Sequence, residues 1–527
     1  MIGCWKILLP CWLMAACCQS ANILGIATYD GNSHWLVMQA VFNALANAGH
    51  QVTVITPNSK STANVSLIDI SKSLPPRRNA FTFDFIRPEY ERPYLTLNVL
   101  PSLSLGQCDK AHRLPEVRRL LNGERKFDVV ISEVFGTDCD AVFAYLLKVP
   151  LISVVTSAML PWASYRVGNP ENPSYVPNIL LPYAGPMSFD QRLINTFYNI
   201  YTYFVDIYSN YRVTSMNRKH FGNEVPSAQK IFRNTSLVFV NSHFTVDQPR
   251  PFVPNVIEVG GIHLPPVKPL PKDWATFMDN SSKGVIFFSL GSIIQASSLP
   301  NETITAFKEA FAELDLNVLW KFEDESLDVP SNVIIRKWFP QRDLLAHPNM
   351  KLAIMHGGLM GVYEAVDVGL PVIGLPIFFD QRHNVANLVA KGSAIQLDLH
   401  RVTKENFLEN IKKIIHDKSY KQRADKLSKK FHDRLVKPSD SVVYWTEYVI
   451  NHEGAYHLRS AAAELPWYQY ILLDVILFLF FTCFLVLFVM KKIIQTLVST
   501  CRRLITTNKV VSPASKPTRN GIHLKTT

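Results

Sequence analysis

Residues with the chemistry of a nucleotide site are concentrated between positions 338 and 381. An apolar run over 351–355 ends in the tripeptide His-Gly-Gly at 356–358, and residues 359–368 follow with the spacing of a helix. In open α/β sheets, nucleotides bind beyond the carboxyl ends of the strands and at helix N-termini. Glycines there let the backbone approach a diphosphate closely, and His356 can add a donor. The pattern therefore predicts a phosphate-binding turn.

Further side chains in the same stretch fit this chemistry. Glu364 lies two turns into the predicted helix, where it can accept hydrogen bonds from ribose hydroxyls. Asp380 and Gln381 open the next helix with a pair of groups suited to a sugar ring. Each feature alone also has a structural explanation, since tight turns, helix caps and core aromatics such as Trp338 are common. Their order and spacing are more specific than any one of them.

The whole pattern resembles the signature of the UDP-glycosyltransferases, the family that includes the UDP-glucuronosyltransferases. It consists of W-x-P-Q at 338–341, H-G-G at 356–358, Glu364, and P-x-x-x-x-P-x-x-x-D-Q at 371–381. The resemblance implies an α/β protein with two Rossmann-like doubly wound domains that face a cleft, usually called the GT-B fold. It also implies an enzyme, a hexosyltransferase that uses a UDP-sugar.

On the donor side, the resemblance gives a role to each matching position. Trp338 would stack on uracil, and Gln341 would approach the base and the ribose. The positions for phosphates, ribose and sugar hydroxyls are Ser292, His356, Gly358, Gly361, Glu364, Asp380 and Gln381. One position departs, because many members have Asn where this chain has Met360. Backbone N–H groups must then replace a missing side-chain donor, or the affinity for the donor falls.

His34 is the candidate general base in the N-terminal half. It lies in the loop Gly-Asn-Ser-His after the first predicted strand and just before a helix, where a histidine can also have a capping or structural role. In the family that the chain resembles, a histidine at this position deprotonates the acceptor hydroxyl. An alcohol is a poor nucleophile until a base within hydrogen-bond reach takes its proton.

Such a base needs an acidic partner that orients it and stabilises the imidazolium. The family usually has Asp after the strand that corresponds to 127–132, whereas this chain has Glu133, one methylene longer. Asp138 is the other candidate, and the sequence does not separate the two. Asp138 and Asp140 also form a D-x-D match, which we interpret as helix capping rather than as a metal site.

The implied reaction is an inverting, single-displacement transfer to a hydroxyl of a small lipophilic acceptor, for conjugation or detoxification. The donor is UDP-glucose or UDP-glucuronate, and the departures after H-G-G are more like invertebrate members, which favours UDP-glucose. The UDP-sugar is a co-substrate, and no metal or other cofactor is expected. Two alternatives stay open: a lipid glycosyltransferase, and a non-catalytic carrier of lipophilic ligands. Met360 and Glu133 are the departures from the family pattern that leave the carrier function as an alternative.

The elements that must position these residues alternate between strand and helix in both halves. Residues 21–265 are predicted to form an acceptor-binding α/β domain, with strands over 23–28, 51–56, 127–132 and 151–155, and an aromatic helix over 191–213. A proline-rich linker over 266–283 leads to a UDP-sugar-binding α/β domain over 284–450. This alternation argues for parallel sheets with crossover helices.

The net charge of +11 is concentrated at the end of the chain. Residues 491–527 contain eight Lys or Arg and no acid, and removing these and Lys6 leaves 45 basic against 43 acidic residues. The body is therefore nearly neutral, and no nucleic-acid partner is indicated. The oligomeric state stays open, a homo-oligomer included.

Both ends of the chain carry membrane-targeting patterns. Residues 1–20 are typical of a cleaved signal peptide. A predicted juxtamembrane helix over 451–469 precedes a predicted transmembrane helix over 470–490, which is long enough to cross a bilayer. Lysines follow it, so the positive-inside rule predicts a single-pass type I protein with lumenal catalytic domains and a cytosolic tail over 491–527. We expect it in the endoplasmic reticulum membrane.

Cysteine usage and glycosylation sequons fit that compartment. Cys108 and Cys139 are the two cysteines of the predicted lumenal body, and the sequence does not settle whether they pair. Sequons for N-glycosylation occur at Asn64, Asn234, Asn280 and Asn301.

Overall fold

Two parallel sheets form the centre of the protein. The computed structural model describes residues 20–58, 64–74, 81–509 and 521, so the predicted signal peptide lies outside the described residues up to position 19. The first sheet, in the order β3-β2-β1-β4-β5-β6-β7, consists of β1 (Asn22–Ile26), β2 (Gln51–Thr56), β3 (Val65–Asp69), β4 (Val129–Glu133), β5 (Leu151–Val155), β6 (Thr235–Val240) and β7 (Val256–Glu258). The second, in the order β10-β9-β8-β11-β12-β13, consists of β8 (Val285–Ser289), β9 (Asn317–Lys321), β10 (Val333–Arg336), β11 (Met350–Met355), β12 (Val372–Gly374) and β13 (Ala394–Gln396).

Helices connect the strands and cover the sheets. Those of the first half are α1 (Asn32–Asn47), α2 (Phe83–Glu91), α3 (Thr96–Ala111), α4 (Pro115–Arg118), α5 (Val142–Leu147), α6 (Pro161–Val167), α7 (Phe189–Phe221) and α8 (Ala228–Phe232). Those that follow are α9 (Lys272–Asn280), α10 (Asn301–Ala312), α11 (Gln341–Leu345), α12 (Leu359–Asp367), α13 (Gln381–Ala390), α14 (Lys404–His416), α15 (Lys418–His432), α16 (Pro438–Asn451), α17 (Trp467–Tyr470) and α18 (Leu473–Lys509). The two doubly wound sheets confirm the predicted α/β class.

The central strands are apolar because they are covered on both faces. Every residue of β4, β5, β6 and β8 is buried. Parallel sheets with helices on both sides need such continuous apolar runs. Most polar side chains of these four strands lie at or next to the strand ends, where the loops begin, and Ser153 in the middle of β5 is an exception.

Each sheet has a point where the strand order reverses, between β1 and β4 in the first and between β8 and β11 in the second. At such a point the two following loops diverge to opposite faces and leave a crevice at the carboxyl ends of the strands. The loop after β1 leads to His34, and Glu133 is the last residue of β4. The loops after β8 and β11 carry Ser292 and His356. The topology therefore places the candidate residues of each half at its crevice.

Two predicted boundaries differ from the structure. The predicted linker over 266–283 contains α9, whose Trp274, Phe277 and Met278 belong to the apolar cluster of the second sheet. Helix α16 lies at the end of the predicted second domain, yet its Val442 and Val449 are buried in the core of the first sheet. The chain thus returns to the first sheet before position 450, because the apolar side of α16 is buried there.

The single helix predicted over 451–469 is wrong. The segment instead contains short 3₁₀ turns at Tyr456–Leu458 and Ala461–Ala463, followed by α17. Gly454 has a φ of 104° and Ala455 a φ of 49°, both outside the helical range, so α16 ends before them. Pro466 then starts a new helical turn at its N-terminus.

The described residues from Glu464 onward belong to a second compact unit, and α18 is its main element. Over Leu473–Thr507 it is long and apolar enough to cross a membrane, and it is the one such helix among the described residues. It begins three residues later than the predicted span over 470–490, because Leu472 has a left-handed backbone with a φ of 56°. It also continues through Lys491 to Lys509, so the first part of the predicted tail is helical.

Two further features of the first half can be compared with the sequence analysis: the aromatic helix and the pairing of the two cysteines. The predicted helix over 191–213 is α7, which extends further at both ends and starts with a capping box between Ser188 and Gln191. Cys108 and Cys139 form a disulfide, which joins α3 to the loop after β4.

Candidate active site

The candidate residues of both halves line one cleft. Its volume is about 270 Å³. The predicted residues that line it are His34, Ser292, Trp338, Gln341, His356, Gly358, Gly361, Glu364, Asp380 and Gln381. Glu133 and Asp138 lie behind this surface, both buried. The structure thus brings the two groups of predicted residues together, although they are about 150 to 350 positions apart in the chain.

His34 lies in the first turn of α1, where the backbone turns sharply after β1. Its Nδ1 lies 2.5 Å from Glu133 Oε1 and 2.8 Å from Thr156 Oγ1. The Thr156 hydroxyl also donates to Glu133 Oε1 at 2.8 Å. His34 follows β1, Glu133 ends the neighbouring strand β4, and Thr156 follows β5, the next strand in the sheet. This triangle fixes the ring and directs its other nitrogen, Nε2, away from the carboxylate.

Aromatic rings surround the His34 imidazole. The Tyr29 ring centroid is 4.5 Å from it and the Phe135 centroid is 4.3 Å from it. Phe379, from the loop before α13, packs edge-on against Phe135 at 5.1 Å and has a left-handed φ of 52°. Gly31 precedes α1, and a Cβ there would meet the Tyr29 ring at 2.7 Å, so the turn requires glycine. The imidazole is therefore held in a mostly apolar enclosure.

Asp138, the alternative partner of His34, is engaged elsewhere. It accepts hydrogen bonds from Arg166 Nη1 at 2.8 Å, from Ser132 at 2.9 Å and from Ser153 at 3.3 Å. Burial raises the pKa of this carboxyl against the opposite effect of the Arg166 guanidinium. The geometry thus pairs His34 with Glu133, and it gives Asp138 a buried ion pair with Arg166.

The second carboxylate of the D-x-D match is also engaged by protein groups. Asp140 accepts from Thr28 Oγ1 at 2.6 Å and lies 2.8 Å from His112 Nε2. Donor atoms of Cys108, His112 and Asp140 lie within 4.8 Å of one another. The Cys108 sulfur is bound to Cys139, however, so it does not offer the thiolate that a metal would need.

His356 lies between two glycines in the second half of the cleft. A Cβ on Gly291, whose φ is +90°, would meet His356 Cε1 at 2.6 Å, and a Cβ on Gly358 would meet its Nε2 at 2.5 Å. Burial, together with the nearby Lys321 ammonium, lowers the pKa of His356 to about 4. The imidazole is therefore neutral at neutral pH, and it can donate one N–H without carrying charge.

Lys321 is a cleft residue that the sequence analysis missed. It is the last residue of β9, its Nζ donates to the Gly291 carbonyl, and it lies 5.2 Å from the centroid of the Trp338 ring. The cleft lining that the structure describes contains no other Lys or Arg. The signal was present in the sequence, since a polar residue ends an apolar strand here as it does at the other candidate positions.

Trp338, Gln341 and Glu364 lie at one side of the second half. The Trp338 side chain is 65% exposed, so its ring is open to a stacking partner. Gln341 Nε2 donates to Glu364 Oε2. Burial raises the pKa of Glu364, and the Gln341 hydrogen bond counteracts this. Trp338 thus offers an exposed aromatic face three residues before Gln341, which is hydrogen-bonded to Glu364.

Asp380 and Gln381 begin α13 beside the first half. Burial raises the pKa of Asp380, whereas its hydrogen bond from Asn384 at 2.9 Å and the nearby His34 act in the opposite direction. Gln381 Oε1 accepts from the backbone N–H groups of Ile377 and Phe378. A contact from Gln381 to a sugar would therefore use its amide nitrogen.

Met360 takes the position of the expected asparagine and lines the cleft. Its sulfur lies 3.9 Å from the Asn241 amide nitrogen, which belongs to the loop after β6. Tyr363, one turn further along α12, donates its hydroxyl to the Asn241 carbonyl at 3.1 Å. Met360 also packs against the apolar clusters of both sheets, so it joins the two halves where a polar donor was expected.

The chain is similar in sequence to known proteins over most of its length. A sequence model of the family described as "UDP-glucoronosyl and UDP-glucosyl transferase" matches residues 22–510. UDP-glucosyltransferase 2 of Dactylopius coccus is 45% identical over 485 residues, which is 90% of this chain and 94% of that protein. UDP-glucuronosyltransferase 2B15 of Rattus norvegicus is 34% identical over 503 residues, which is 91% of this chain and 94% of that protein.

Comparisons with solved structures concern the fold. The chain resembles UDP-glucose: anthocyanidin 3-O-glucosyltransferase in complex with UDP, with a TM-score of 0.55, 16% identity, and coverage of 82% of this chain and 99% of that chain. It also resembles the glycosyltransferase VinC in complex with DTDP, with a TM-score of 0.56, 16% identity, and coverage of 82% and 100%. Both are glycosyltransferases, and both match the two-sheet architecture.

Proposed function

This chain belongs to the UDP-glycosyltransferase family, and from that premise we propose that it transfers glucose from UDP-glucose to a hydroxyl of a small lipophilic acceptor. His34 is the general base of this proposal, Glu133 orients it, and the second half of the cleft binds the UDP-sugar. The observation that carries the proposal is the His34–Glu133 pair, which faces His356 and Asp380 across one cleft.

His34 Nε2 takes the proton of the acceptor hydroxyl while that oxygen attacks the anomeric carbon of the donor. The bond between the anomeric carbon and the β-phosphate oxygen breaks in the same step, so the configuration inverts and UDP leaves with the electron pair. Glu133 stabilises the imidazolium that forms, because its carboxylate lies against Nδ1. The hydrogen bonds of Nδ1 with Glu133 and Thr156 hold the ring in this orientation during the step.

Three protein groups face the departing diphosphate in this proposal. They are the neutral imidazole of His356, the ammonium of Lys321, and the N-terminus of α12, whose free N–H groups follow Gly358. Fixed donors of this kind stabilise charge where it develops, without reorganisation during the step. The proposal therefore assigns the neutralisation of UDP to this chain rather than to a metal ion.

The charges of the cleft favour UDP-glucose over UDP-glucuronate. Lys321, the one Lys or Arg in the described lining, lies at Trp338 and Gly291, where the base and phosphates are proposed to bind. The sugar is proposed to lie at Asp380, and a glucuronate carboxylate beside that acid would lack a cation of its own. The name of the Dactylopius relative, a UDP-glucosyltransferase, is consistent with this choice.

The first half of the cleft supports a lipophilic acceptor. Its lining includes Leu36, Leu100, Phe135 and the Tyr29 ring around His34. An acceptor of this kind partitions into lipid, and α18 gives the chain a candidate membrane anchor. We place the catalytic domains in the lumen of the endoplasmic reticulum, with α18 crossing the membrane once and a short cytosolic tail after it.

To test this, membranes that contain the chain are incubated with labelled UDP-glucose or UDP-glucuronate and a panel of phenols and alcohols, and the labelled products are identified. We expect β-glucosides from UDP-glucose, and a decrease in kcat/KM of about 10²- to 10⁴-fold in His34→Ala, the range of a general base. His416→Ala, at an exposed position of α14, is the matched control.

Each other outcome selects a different function. Release of UDP by His34→Ala at the wild-type rate would remove the proposed mechanism. Ligand binding without consumption of any UDP-sugar would identify a carrier. Product only with ceramide-like lipids would identify a lipid glycosyltransferase, and product only with UDP-glucuronate would contradict the donor.

A further inference from the structure

Helix α18 is longer than the crossing of a membrane requires. Its apolar part over Leu473–Thr507 has 35 residues, which is about 52 Å of helix, whereas the hydrocarbon core of a bilayer is about 30 Å thick. Residues 473–490 alone are about 27 Å long, and their one charged residue, Asp474, lies at the start. Lys491 and Lys492 follow and mark the level at which the helix leaves the core. About 25 Å of helix over 491–507 therefore lies outside the core.

This outer part of α18, residues 491–507, is here called the tail helix, and it has an apolar face. With about 100° between successive residues, its apolar side chains and Cys501 fall within an arc of about 140° that contains no polar residue. The six apolar side chains are 46% to 63% exposed, and they are Ile493, Ile494, Leu497, Val498, Leu504 and Ile505. A contiguous apolar surface of this width is typical of a helix that packs on something else.

The remaining surface of the tail helix is polar and basic. Lys491 and Arg502 lie within about 40° of one edge of the apolar face. Long basic side chains at such an edge cover apolar surface with their stems and keep their charged ends in a polar layer. Lys492 and Arg503 lie on the opposite side, and residues 491–527 contain no Asp or Glu. The tail helix is thus amphipathic and carries charge of one sign.

We propose that the tail helix lies along the surface of the membrane that α18 crosses, with its apolar face in the lipid and its basic residues at anionic headgroups. An apolar face beside a face rich in Lys and Arg is the pattern of helices that lie in the membrane interface. Anionic lipids of the cytosolic leaflet attract basic residues next to a span. The inference rests on the membrane topology of the proposed function, which places this end of the chain in the cytosol.

A bend at Lys491 and Lys492 brings the tail helix to that surface. In the structure α18 is one continuous helix, so the bend breaks the few backbone hydrogen bonds that cross this point. Water replaces those hydrogen bonds at the level of the headgroups. The six apolar side chains leave water in exchange, and their burial is the larger effect because it extends over the whole tail helix.

A second copy of the tail helix suits the same face less well. Paired amphipathic helices usually set acids against bases along the edges of their seam. The tail helix has no acid, so two copies would bring their basic edges together without neutralisation. The membrane, in contrast, is joined to the tail helix through the span, so its surface is present at a high effective concentration.

Two cysteine positions on opposite faces test the proposal. Cys501 is free and lies in the middle of the apolar face, and Ser499 lies about 160° from it on the polar side. In a Cys483→Ser background, native Cys501 is compared with Ser499→Cys combined with Cys501→Ser. Sealed microsomes, whose outer surface is the cytosolic one, are treated with a membrane-impermeant maleimide. We expect Cys501 to react at least about tenfold more slowly than the thiol of Ser499→Cys, because lipid covers it.

Vesicles with the purified full-length chain identify lipid as the group that covers the face. A fluorophore on the Cys501 thiol is expected to be quenched at least about twofold more strongly than one on Ser499→Cys by lipids that carry a nitroxide near the headgroup end of the acyl chain. Raising phosphatidylserine from none to about 30% should increase the protection of Cys501 from the maleimide. Arg502→Gln combined with Arg503→Gln should remove that increase.

Equal reaction rates at the two positions would overturn the proposal. Protection in microsomes without quenching in vesicles would assign the face to another protein, and an oxidised Cys501 dimer without quenching would assign it to a second copy; either result overturns the membrane as the occupant. Reaction of Ser499→Cys only after the microsomes are permeabilised would place the tail helix in the lumen, and would overturn the proposed topology as well. Sugar transfer is assayed separately, so failure of the proposed activity is distinguishable from these results.

Discussion

His34, at the start of α1 after β1, is hydrogen-bonded to Glu133, the last residue of the neighbouring strand β4, with 2.5 Å between Nδ1 and Oε1. The carboxylate is almost wholly buried, and the imidazole is open to the cleft only at its far side. Thr156 bonds to both. Glutamate therefore fills the place of the family's usual aspartate by reaching the imidazole directly, and the extra methylene is accommodated at the end of β4.

Replacements of Glu133 test whether its negative charge, and not only its size, supports proton transfer to His34. Glu133→Gln keeps the size of the side chain but removes the charge that stabilises the imidazolium, so we expect kcat to fall by about 10²- to 10⁴-fold with little change in the KM for UDP-glucose. Glu133→Asp is shorter by one methylene and is expected to retain more activity than Glu133→Gln. Steady-state kinetics with both substrates varied checks this, and equal kcat in wild type and Glu133→Gln would contradict it.

Asp138 is expected to affect stability rather than the proton transfer. Asp138→Asn breaks the buried ion pair with Arg166 and leaves the guanidinium without its counter-charge, which costs about 3–5 kcal/mol in buried pairs. Denaturant unfolding of the purified chain should show this loss, with Glu133→Gln as the variant for comparison. A variant that is as stable as wild type but inactive would instead make Asp138 a partner of the base.

The candidate residues could be identified from the sequence because functional polar groups in parallel sheets lie at the carboxyl ends of the strands and in the loops that follow. Glu133 and Asp138 both follow β4, so this rule could not choose between them. Arg166 decides which of the two carboxylates pairs with His34, because it lies in α6 and occupies Asp138. No local sequence pattern predicts this contact. Lys321 also lies at the carboxyl end of a strand, but it was not predicted, because β9 lies outside the motif at 338–381.

The predicted elements agreed with the structure where apolar periodicity was continuous. The prediction of one helix over 451–469 failed because it gave no weight to Gly454 and Pro466, which interrupt the helix on either side of the 3₁₀ turns. The packing of α16 on the first sheet could not be predicted either, since the pattern of an amphipathic helix does not indicate which of two sheets it covers.

Lys321 is expected to bind the diphosphate. Lys321→Met removes the ammonium but keeps most of the stem, so the affinity for UDP should fall about 10- to 100-fold, the value of hydrogen bonds to charged groups. The affinity for uridine, which has no phosphate, should change less than twofold. Calorimetry with both ligands checks this. An equal loss for UDP and uridine would show that Lys321 acts by holding the Trp338 ring.

Met360→Asn restores the side chain that many family members have at this position. If the diphosphate lies against the start of α12, the new amide should lower the KM for UDP-glucose by about 2- to 10-fold, the value of one neutral hydrogen bond. The variant also loses apolar contacts between the halves, so its stability should decrease. Initial rates over a range of UDP-glucose concentrations measure the first effect, and an unchanged or higher KM would place the diphosphate elsewhere.

The lowered pKa of His356 makes part of the stability depend on pH. In the folded chain this pKa is about 4, against an ordinary value of 6.5, so the unfolded chain binds more protons between these values. Stability from this residue is therefore complete above pH 6.5 and is lost as the pH falls towards 4. Between pH 7 and pH 5 the loss amounts to about 2 kcal/mol.

His356→Gln isolates this contribution from those of the other buried histidines. The pKa of His243 is lowered to about 3 and that of His263 to about 4, both mainly by burial, so wild type and variant share their effects. The free energy of unfolding is measured at pH 7 and pH 5 for both chains. We expect the variant to lose about 2 kcal/mol less than wild type on acidification. Equal losses would show that His356 carries its proton in the folded cleft, and the neutral donor assigned to the diphosphate would then be wrong.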